Sequence, residues 1–516
     1  MSSPLDFALS QTLVALAATT SAVLVSTSLV YRHLTARRDR LPQVDPSVPR
    51  IKGADTFLGV FGELDTTQVF LFNKTCVETF GSPSMSHFMG RPVIYVGLPD
   101  QVKDVVTAVK EKAPKVKEAV SSFLGEEAII TLPHERWQPL RKTLGRVFHL
   151  SNMKGYFAVF VDASRDFVAR VEEHNSRRKT YFEGASAGGL RTRPSTLLQP
   201  MDVDKCAMDL ALDIVTRALF SRDLEIQRGQ ESELSVKIGR ITHYVVKIAL
   251  NPVFWLLHPF QYAEYKRLVR WYHGIFLAWI RERQADPNHE NKDLLGLMLK
   301  SRDPDTGAAL TTQEILAQCT TFYFAGHDTT AHTIAWALYE IARHPEIEGK
   351  VYEELCEVIG DKDAPSYEEG NKLTYLQWVV KETLRMHPPA GGFSRHTTEP
   401  TEIAGVKVPA GTTAIVSILA IHNSELVWPE PWRFRPERFS PEESEGRDPQ
   451  AWIPFSVGER NCIGMNFALA EIRVVLAVLC KKYRLAPSVD LLPHTAMFIT
   501  QAPVDGIHVH FLPRDE

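Results

Sequence analysis

At 516 residues the chain is long enough for about three average domains, although single large enzyme domains exceed that prior. Hydrophobic residues at 44% and charged residues at 23% are ordinary for a folded globular protein, and a net charge of −4 gives no footing for nucleic acid or an anionic surface as partner. Six scattered cysteines (Cys76, Cys206, Cys319, Cys356, Cys462, Cys480) with no C-x-x-C pair argue against a zinc site or disulfide framework and for a reducing compartment.

In chain order, the first expected element is an apolar helix. Phe7 to Tyr31 runs 25 residues without a formal charge, about 37 Å as helix against about 30 Å of hydrocarbon. Nine of these residues are Ser, Thr or Gln, so insertion is only moderately favourable. Asp6 is the only charge ahead of the run, and Arg32, Arg37, Arg38 and Arg40 follow it. A cleaved signal peptide would carry cations in front and a mitochondrial presequence would carry them inside, so a signal anchor fits better. By the positive-inside rule the bulk of the chain is then cytosolic and Met1 lumenal. Residues 1–40 read as a membrane anchor with its basic flank. Residues 41–50, with Pro42, Pro46 and Pro49, read as a stiff hinge. The remainder, 51–516, shows no internal repeat or domain boundary.

Beyond the hinge, strand signals are few and short: Val93 to Gly97, Val406 to Pro409, Thr413 to Val416 and Gly506 to Phe511. Long amphipathic stretches dominate, so the fold class is mainly α with small β-sheets. Trp137-x-x-x-Arg141 lies on a helix-like stretch. Ser176 to Pro200, rich in Ser, Gly, Arg and Thr, reads as a solvated loop, and Gly360 to Lys372 and Pro441 to Gln450 as polar connectors. The longest helix is expected from Leu310 to Arg343, opened by a capping box of Thr311 with Glu314 and ended at His344-Pro345. Ile315, Cys319, Phe322, Gly326, Thr329 and Thr333 share one face of it. Within it, Gly326 removes bulk where a ligand could lie, and Asp328 beside Thr329 pairs an acid with an alcohol, the makings of a proton relay. A glycine-kinked helix whose threonines bond back to carbonyls would carry the same residues.

Farther on, Glu382 and Arg385 stand three apart on a helix and meet on one face. Alone such a pair is common and worth little; Arg438, in Pro436-Glu437-Arg438-Phe439, is a second arginine that could join it. The most informative segment is Phe455-Ser-Val-Gly458-Glu-Arg460-Asn-Cys462-Ile-Gly464. Gly458 permits a tight turn, Arg460 sets a cation two residues before Cys462, and Gly464 lets the backbone approach a flat ligand. A helical run opens there, Gly464 to Leu479, with Phe467, Ala470, Val474 and Val478 on one face. A cysteine at a helix N-terminus beside an arginine should be a thiolate. Such a thiolate suits ligation of haem iron, pushing electron density toward O–O cleavage. A buried structural cysteine in a coincidental glycine pattern is the alternative.

Phe455-x-x-Gly458-x-Arg460-x-Cys462-x-Gly464 resembles the haem-binding signature of the cytochrome P450 monooxygenases, with every fixed position filled. Three further signatures stand upstream in that family's order, so the resemblance covers roughly four-fifths of the chain. It implies the cytochrome P450 fold behind a single N-terminal transmembrane helix, and heme b on the Cys462 thiolate. Trp137 and Arg141 resemble a pair that reaches a haem propionate, and Arg395 and Arg460 resemble two more propionate arginines. His134 departs from the pattern, standing where many relatives have glycine. Asp328 and Thr329 are similar to the acid–alcohol pair that delivers protons to iron-bound dioxygen. Glu382, Arg385 and Arg438 are similar to a buried network behind the haem.

The reaction so implied inserts one atom of O2 into a lipophilic substrate: a sterol, terpenoid, polyketide or fatty chain, secondary metabolites included. The chain carries no glycine-rich phosphate loop or flavin fingerprint, so the resemblance implies an NADPH–cytochrome P450 reductase as electron source. Cytochrome b5 is a further candidate partner, and the endoplasmic reticulum membrane the expected location. Arg141, Lys142, Arg146, Lys481 and Lys482 are candidate docking cations near the thiolate. The pocket candidates Phe322, Phe324, Ala390, Gly391, Gly392, Phe393, Met497 and Phe498 are apolar with no cation among them. Two other classes stay open. A haem-thiolate isomerase or dehydratase would commonly lack the acid or the alcohol at 328 and 329, and a non-catalytic haem-binding protein would need no reductase face.

Overall fold

The computed structural model describes residues 69–88, 91–112, 120–186, 199–228, 233–250, 254–286, 293–302, 307–488, 493–497 and 500–514. The anchor of residues 1–40, the hinge of residues 41–50, Phe498 and the side chain of Met497 lie outside them. Among the described residues, no helix is long and apolar enough to cross a membrane.

Helices α1 (Val69–Phe80), α2 (Pro99–Ala108), α3 (His134–Gly145), α4 (Leu150–Ser186), α5 (Val203–Phe220), α6 (Glu233–Leu250), α7 (Pro259–Ala285), α8 (Leu294–Lys300), α9 (Thr312–Arg343), α10 (Pro345–Ile359), α11 (Thr374–Met386) and α12 (Met465–Lys482) carry most of the described chain. The expected loop at Ser176 to Pro200 is corrected over its first half, because α4 runs on to Ser186. Arg177, Arg178, Lys179, Glu183 and Ala185 are good helix formers, and they outweigh the serines and glycine that suggested a loop. Two expected connectors also hold single helical turns, Tyr367–Gly370 and Pro441–Ser444, capped by Ser366 and Ser440. Each cap follows the Ser-x-x-Glu pattern.

Helix α9 is the axle. Its 32 residues span about 48 Å, and its capping box closes as expected: Glu314 N–H donates to Thr311 Oγ1 at 3.2 Å and Thr311 N–H to Glu314 Oε2 at 2.8 Å. From Ile315 to Phe324 and from Thr330 to Ala342 every residue is buried, the pattern of a helix packed on all sides. Its widest contact is with α5; α12 and α7 pack on other faces, and α12 packs in turn on α4.

The sheets are small and peripheral. Strands β1 (Ser84–Phe88), β2 (Arg91–Val96), β3 (Met201–Asp202), β4 (Gly392–His396), β5 (Thr401–Ile403), β6 (Val406–Val408), β7 (Thr413–Ser417), β8 (Tyr483–Pro487), β9 (Thr495–Met497), β10 (Gln501–Pro503) and β11 (His508–Pro513) form four units. The largest has order β1-β2-β7-β4, with β2 and β7 parallel and the other pairs antiparallel. β3-β11-β8 make a three-stranded antiparallel sheet, and β5-β6 and β9-β10 are two-stranded. The register of β4 on β7 pairs Arg395 with Ala414 and carries that arginine to the sheet's buried side, 1% exposed.

Candidate active site

The segment before α12 is a knot of short backbone bonds. Cys462 N–H donates to Phe455 O at 2.9 Å and Asn461 N–H to Gly458 O at 3.1 Å. Gly458 turns the chain at φ +76°, where a side chain would be strained and its Cβ would lie 3.3 Å from Val106 Cβ. Gly464 is the N-cap of α12, and the nearest atom to a Cβ built there is Cys462 Sγ, 4.0 Å away. A flat group can therefore approach this backbone beside the sulfur.

Burial opposes the charge expected of Cys462. Cys462 keeps accessible surface, yet the protein packed around it pushes the thiol pKa up. A bond from the Gly464 backbone and the attraction of Arg141 oppose that shift without cancelling it. Arg460 turns elsewhere: its guanidinium lies 4.3 Å from the centre of the Trp137 ring, and Nη1 donates to Leu132 O at 3.0 Å. The cation at the sulfur is Arg141, held by Asn461 Oδ1 at 2.8 Å. A metal ion held by this sulfur would offset that burial, since a coordinated thiol loses its proton.

The remaining cations converge, with the carboxylates of Glu111 and Glu459 acting on Arg460. Arg395 is 1% exposed and, among the described residues, donates only to its neighbour's carbonyl, Ser394 O, at 3.0 Å. Its guanidinium sits 4.8 Å from the Phe393 ring. Burial, and then Arg460, hold its pKa down at about 10. Arg460 Nε and Nη2 are buried with no hydrogen-bond partner among the described residues. Lys112, which sequence reasoning passed over, joins them: burial, then Arg395 and Arg460, depress its pKa to about 7. Its neighbour Glu111 fixes it in place, bridging to His396 N–H at 2.9 Å and accepting His134 N–H at 3.0 Å. His134 accordingly opens α3 without disturbing the turn, and stacks on Trp137 at 5.7 Å. Buried N–H groups left over on mutually repelling cations demand a carboxylate-like anion. Haem propionates fit that demand.

On α9, Asp328 and Thr329 do not bond to each other. Thr500 Oγ1 donates to Asp328 Oδ2, and both side chains are buried. Thr329 Oγ1 donates back to Ala325 O at 3.0 Å, which leaves its lone pairs free to accept. Gly326 does not clear space for a ligand, contrary to expectation. A Cβ on it would lie 2.9 Å from Val215 Cγ2, so the glycine lets α5 pack against α9.

Behind the site, Glu382 accepts Arg385 at 2.7 and 2.9 Å and Arg438 Nε at 3.2 Å, with all three side chains 1% exposed or less. Arg385 also caps His422 O and Pro431 O, and Arg438 caps Glu430 O and Arg433 O. His422 links this network to the chain before the cysteine loop, its Nε2 accepting Ile453 N–H at 3.0 Å. Burial and Arg385 hold His422 neutral, with a pKa near 3.

Residues 49–505 match the sequence model of the family described as cytochrome P450. The chain belongs to the cytochrome P450 family. Among curated proteins it is similar to "Cytochrome P450 4F12" of Homo sapiens, 31% identical over 461 residues that cover 84% of this chain and 83% of that protein. It is also similar to "Cytochrome P450 4V2" of Mus musculus, 30% identical with coverage of 69% and 67%. "Cytochrome P450 4c21" of Blattella germanica is 27% identical, with coverage of 88% and 90%. The protein is therefore a haem-dependent oxidoreductase of the monooxygenase class, and its family implies a cysteine-ligated haem iron and an external electron donor.

Two sequence expectations about this cytochrome P450 change with the fold in view. Lys481 and Lys482 end α12, about 27 Å along the helix from the cysteine end. Of the expected docking cations these two therefore lie at the far end of α12, where they meet Cys356 and Glu172. Phe322 packs into the aromatic core on Phe148, ring centres 5.3 Å apart, and Phe324 packs edge-on to Phe123 at 5.2 Å.

Proposed function

We propose that this cytochrome P450 oxidises a lipophilic substrate at the endoplasmic reticulum membrane, with electrons from an NADPH–cytochrome P450 reductase and, as a second donor, cytochrome b5. The observation that carries the reading is the convergence of Arg395, Arg460 and Lys112 beside the Cys462 loop, with Nε and Nη2 of Arg460 buried and unbonded among the described residues. In this reading Cys462 ligates the iron. Arg395, Arg460 and Arg141, with Trp137 buttressing Arg460, receive the propionates, and Phe455, Gly458 and Gly464 shape the loop under the ring. The bound haem supplies dioxygen activation, one oxygen atom entering the substrate and the other leaving as water.

The chain's own residues manage protons and water. Asp328 holds a proton-exchanging carboxyl at the midpoint of α9, and Thr329 offers acceptor lone pairs one residue on. Apolar Phe393 suits a lipophilic substrate, and no cation among the pocket candidates selects an anion. Trp255, Leu256 and Leu257, between α6 and α7, and Phe260 in the first turn of α7 are 56–89% exposed. An apolar patch of that kind supports contact with a lipid surface in addition to the residue 1–40 anchor.

The test is turnover by the full chain with NADPH and reductase against fatty acids, sterols and terpenoids preselected by their low-to-high-spin shift. Oxygenated product matched to NADPH consumed is the expected result. Product formed without NADPH would move the protein to the isomerase or dehydratase class.

A further inference from the structure

The C-terminal β9-β10 unit reaches the centre of the site. Gln501 N–H donates to Pro389 O at 2.8 Å and fixes the start of β10 to the chain leaving α11. The preceding residue, Thr500, is 6% exposed and gives its hydroxyl proton to Asp328 Oδ2 across 172 residues of sequence. Asp328 is 8% exposed and has no cationic hydrogen-bond partner among the described residues. In a buried setting, a carboxylate with one tethered oxygen has its rotamer and its free oxygen fixed together.

We propose that Thr500 is a positioning residue of the proton relay: its hydroxyl holds Oδ2 so that Oδ1 of Asp328 faces the Thr329 side of α9. The proposal rests on the reading of Asp328 as the relay acid. The hydroxyl, not the bulk of Thr500, is the working group. A charge-assisted hydrogen bond is worth on the order of tenfold in an equilibrium, so its loss slows ordered proton delivery by about that factor. Undelivered protons divert reducing equivalents into peroxide.

The experiment compares wild type, Asp328→Asn, Thr500→Val and Thr500→Ser in the full chain, each loaded with haem. Peroxide released per NADPH is read with reductase and no added substrate, so no substrate need be known. The carbonyl stretch of the ferrous carbon-monoxide complex is read alongside, as a probe of distal polarity. Support is a higher peroxide share and a shifted stretch in both Asp328→Asn and Thr500→Val, with Thr500→Ser close to wild type. Thr500→Val matching wild type while Asp328→Asn uncouples would overturn the positioning role and leave the relay standing. An unchanged Asp328→Asn would remove the relay and the proposal with it. Thr500→Ser behaving like Thr500→Val would show that the hydroxyl is not the group at work. Should Thr500→Val fail to retain haem, Thr500→Ala serves the same comparison.

Discussion

Glu382 and Arg385 share a two-point ion pair with no exposed surface on either side chain. The pair does not stand alone, since Glu382 also accepts the Arg435 backbone N–H at 3.0 Å and Arg438 Nε. Through Arg385 and Arg438 one carboxylate organises the carbonyls of a loop spanning residues 422–433. Removing it strands two buried guanidinium groups. Glu382→Ala should therefore destabilise the fold by about 3–5 kcal/mol and yield little haem per polypeptide, measured by the pyridine haemochrome against protein concentration. Near-normal haem content would mean that the two arginines find other partners.

Gly326→Ala tests the helix contact rather than the chemistry. The new Cβ would meet Val215 Cγ2 at 2.9 Å, and overpacking of this kind costs about 1–3 kcal/mol. A lower thermal midpoint is expected, with recovery in the double variant Gly326→Ala/Val215→Ala. No recovery would place the strain elsewhere on α9.

Acid sensitivity should come in part from His422. Its folded pKa is near 3 against an ordinary 6.5, because burial and Arg385 disfavour the cation. A depressed histidine contributes stability that is fully present above 6.5 and is lost as pH falls toward 3. At pH 5 the loss is about 2 kcal/mol. His332 works in the opposite direction: although burial opposes its charge, Asp204, bonded at 2.7 Å, raises its pKa to about 9. Its contribution is present below 6.5 and fades as pH rises through 9. Denaturant unfolding between pH 4 and 7 should steepen with acid in the wild type and flatten in His422→Gln. Equal slopes would assign the acid limb to other groups.

Membrane contact has two proposed parts. Deleting residues 1–40 should release most of the protein from vesicles while sparing its spectrum. Adding Trp255→Ser and Phe260→Ser should release the residue that remains, measured by flotation with vesicles of neutral phospholipid. Full release by the deletion alone would deny the 254–260 patch a role.

What was legible in the sequence was local. The capping box of α9, the turn at Gly458 and the three-residue spacing of Glu382 and Arg385 rest on neighbours in the chain, and all appear in the structure as read. Illegible were the contacts closed over distance. Val215 meets Gly326 across a helix interface that no spacing announces. Lys112 joins Arg395 and Arg460 only because Glu111 bridges to the end of β4. Around Cys462 the dipole and the arginine are visible in the sequence, whereas the burial that opposes the thiolate is not. Arg460, two residues away in sequence, is drawn off by Trp137, and Arg141 takes its place. The loop expected after Ser176 failed for another reason: serine and glycine are weak signals against a run of good helix formers.

The central claim is that Cys462 binds haem iron as a thiolate. The most direct measurement is the carbon-monoxide difference spectrum of reduced wild type and Cys462→Ser, with haem content determined on the same samples. The account predicts the thiolate-type absorbance in the wild type and its complete loss in Cys462→Ser, since a neutral alcohol cannot replace the anionic sulfur. Thiolate-type absorbance surviving in Cys462→Ser would contradict it and move the ligand to another cysteine.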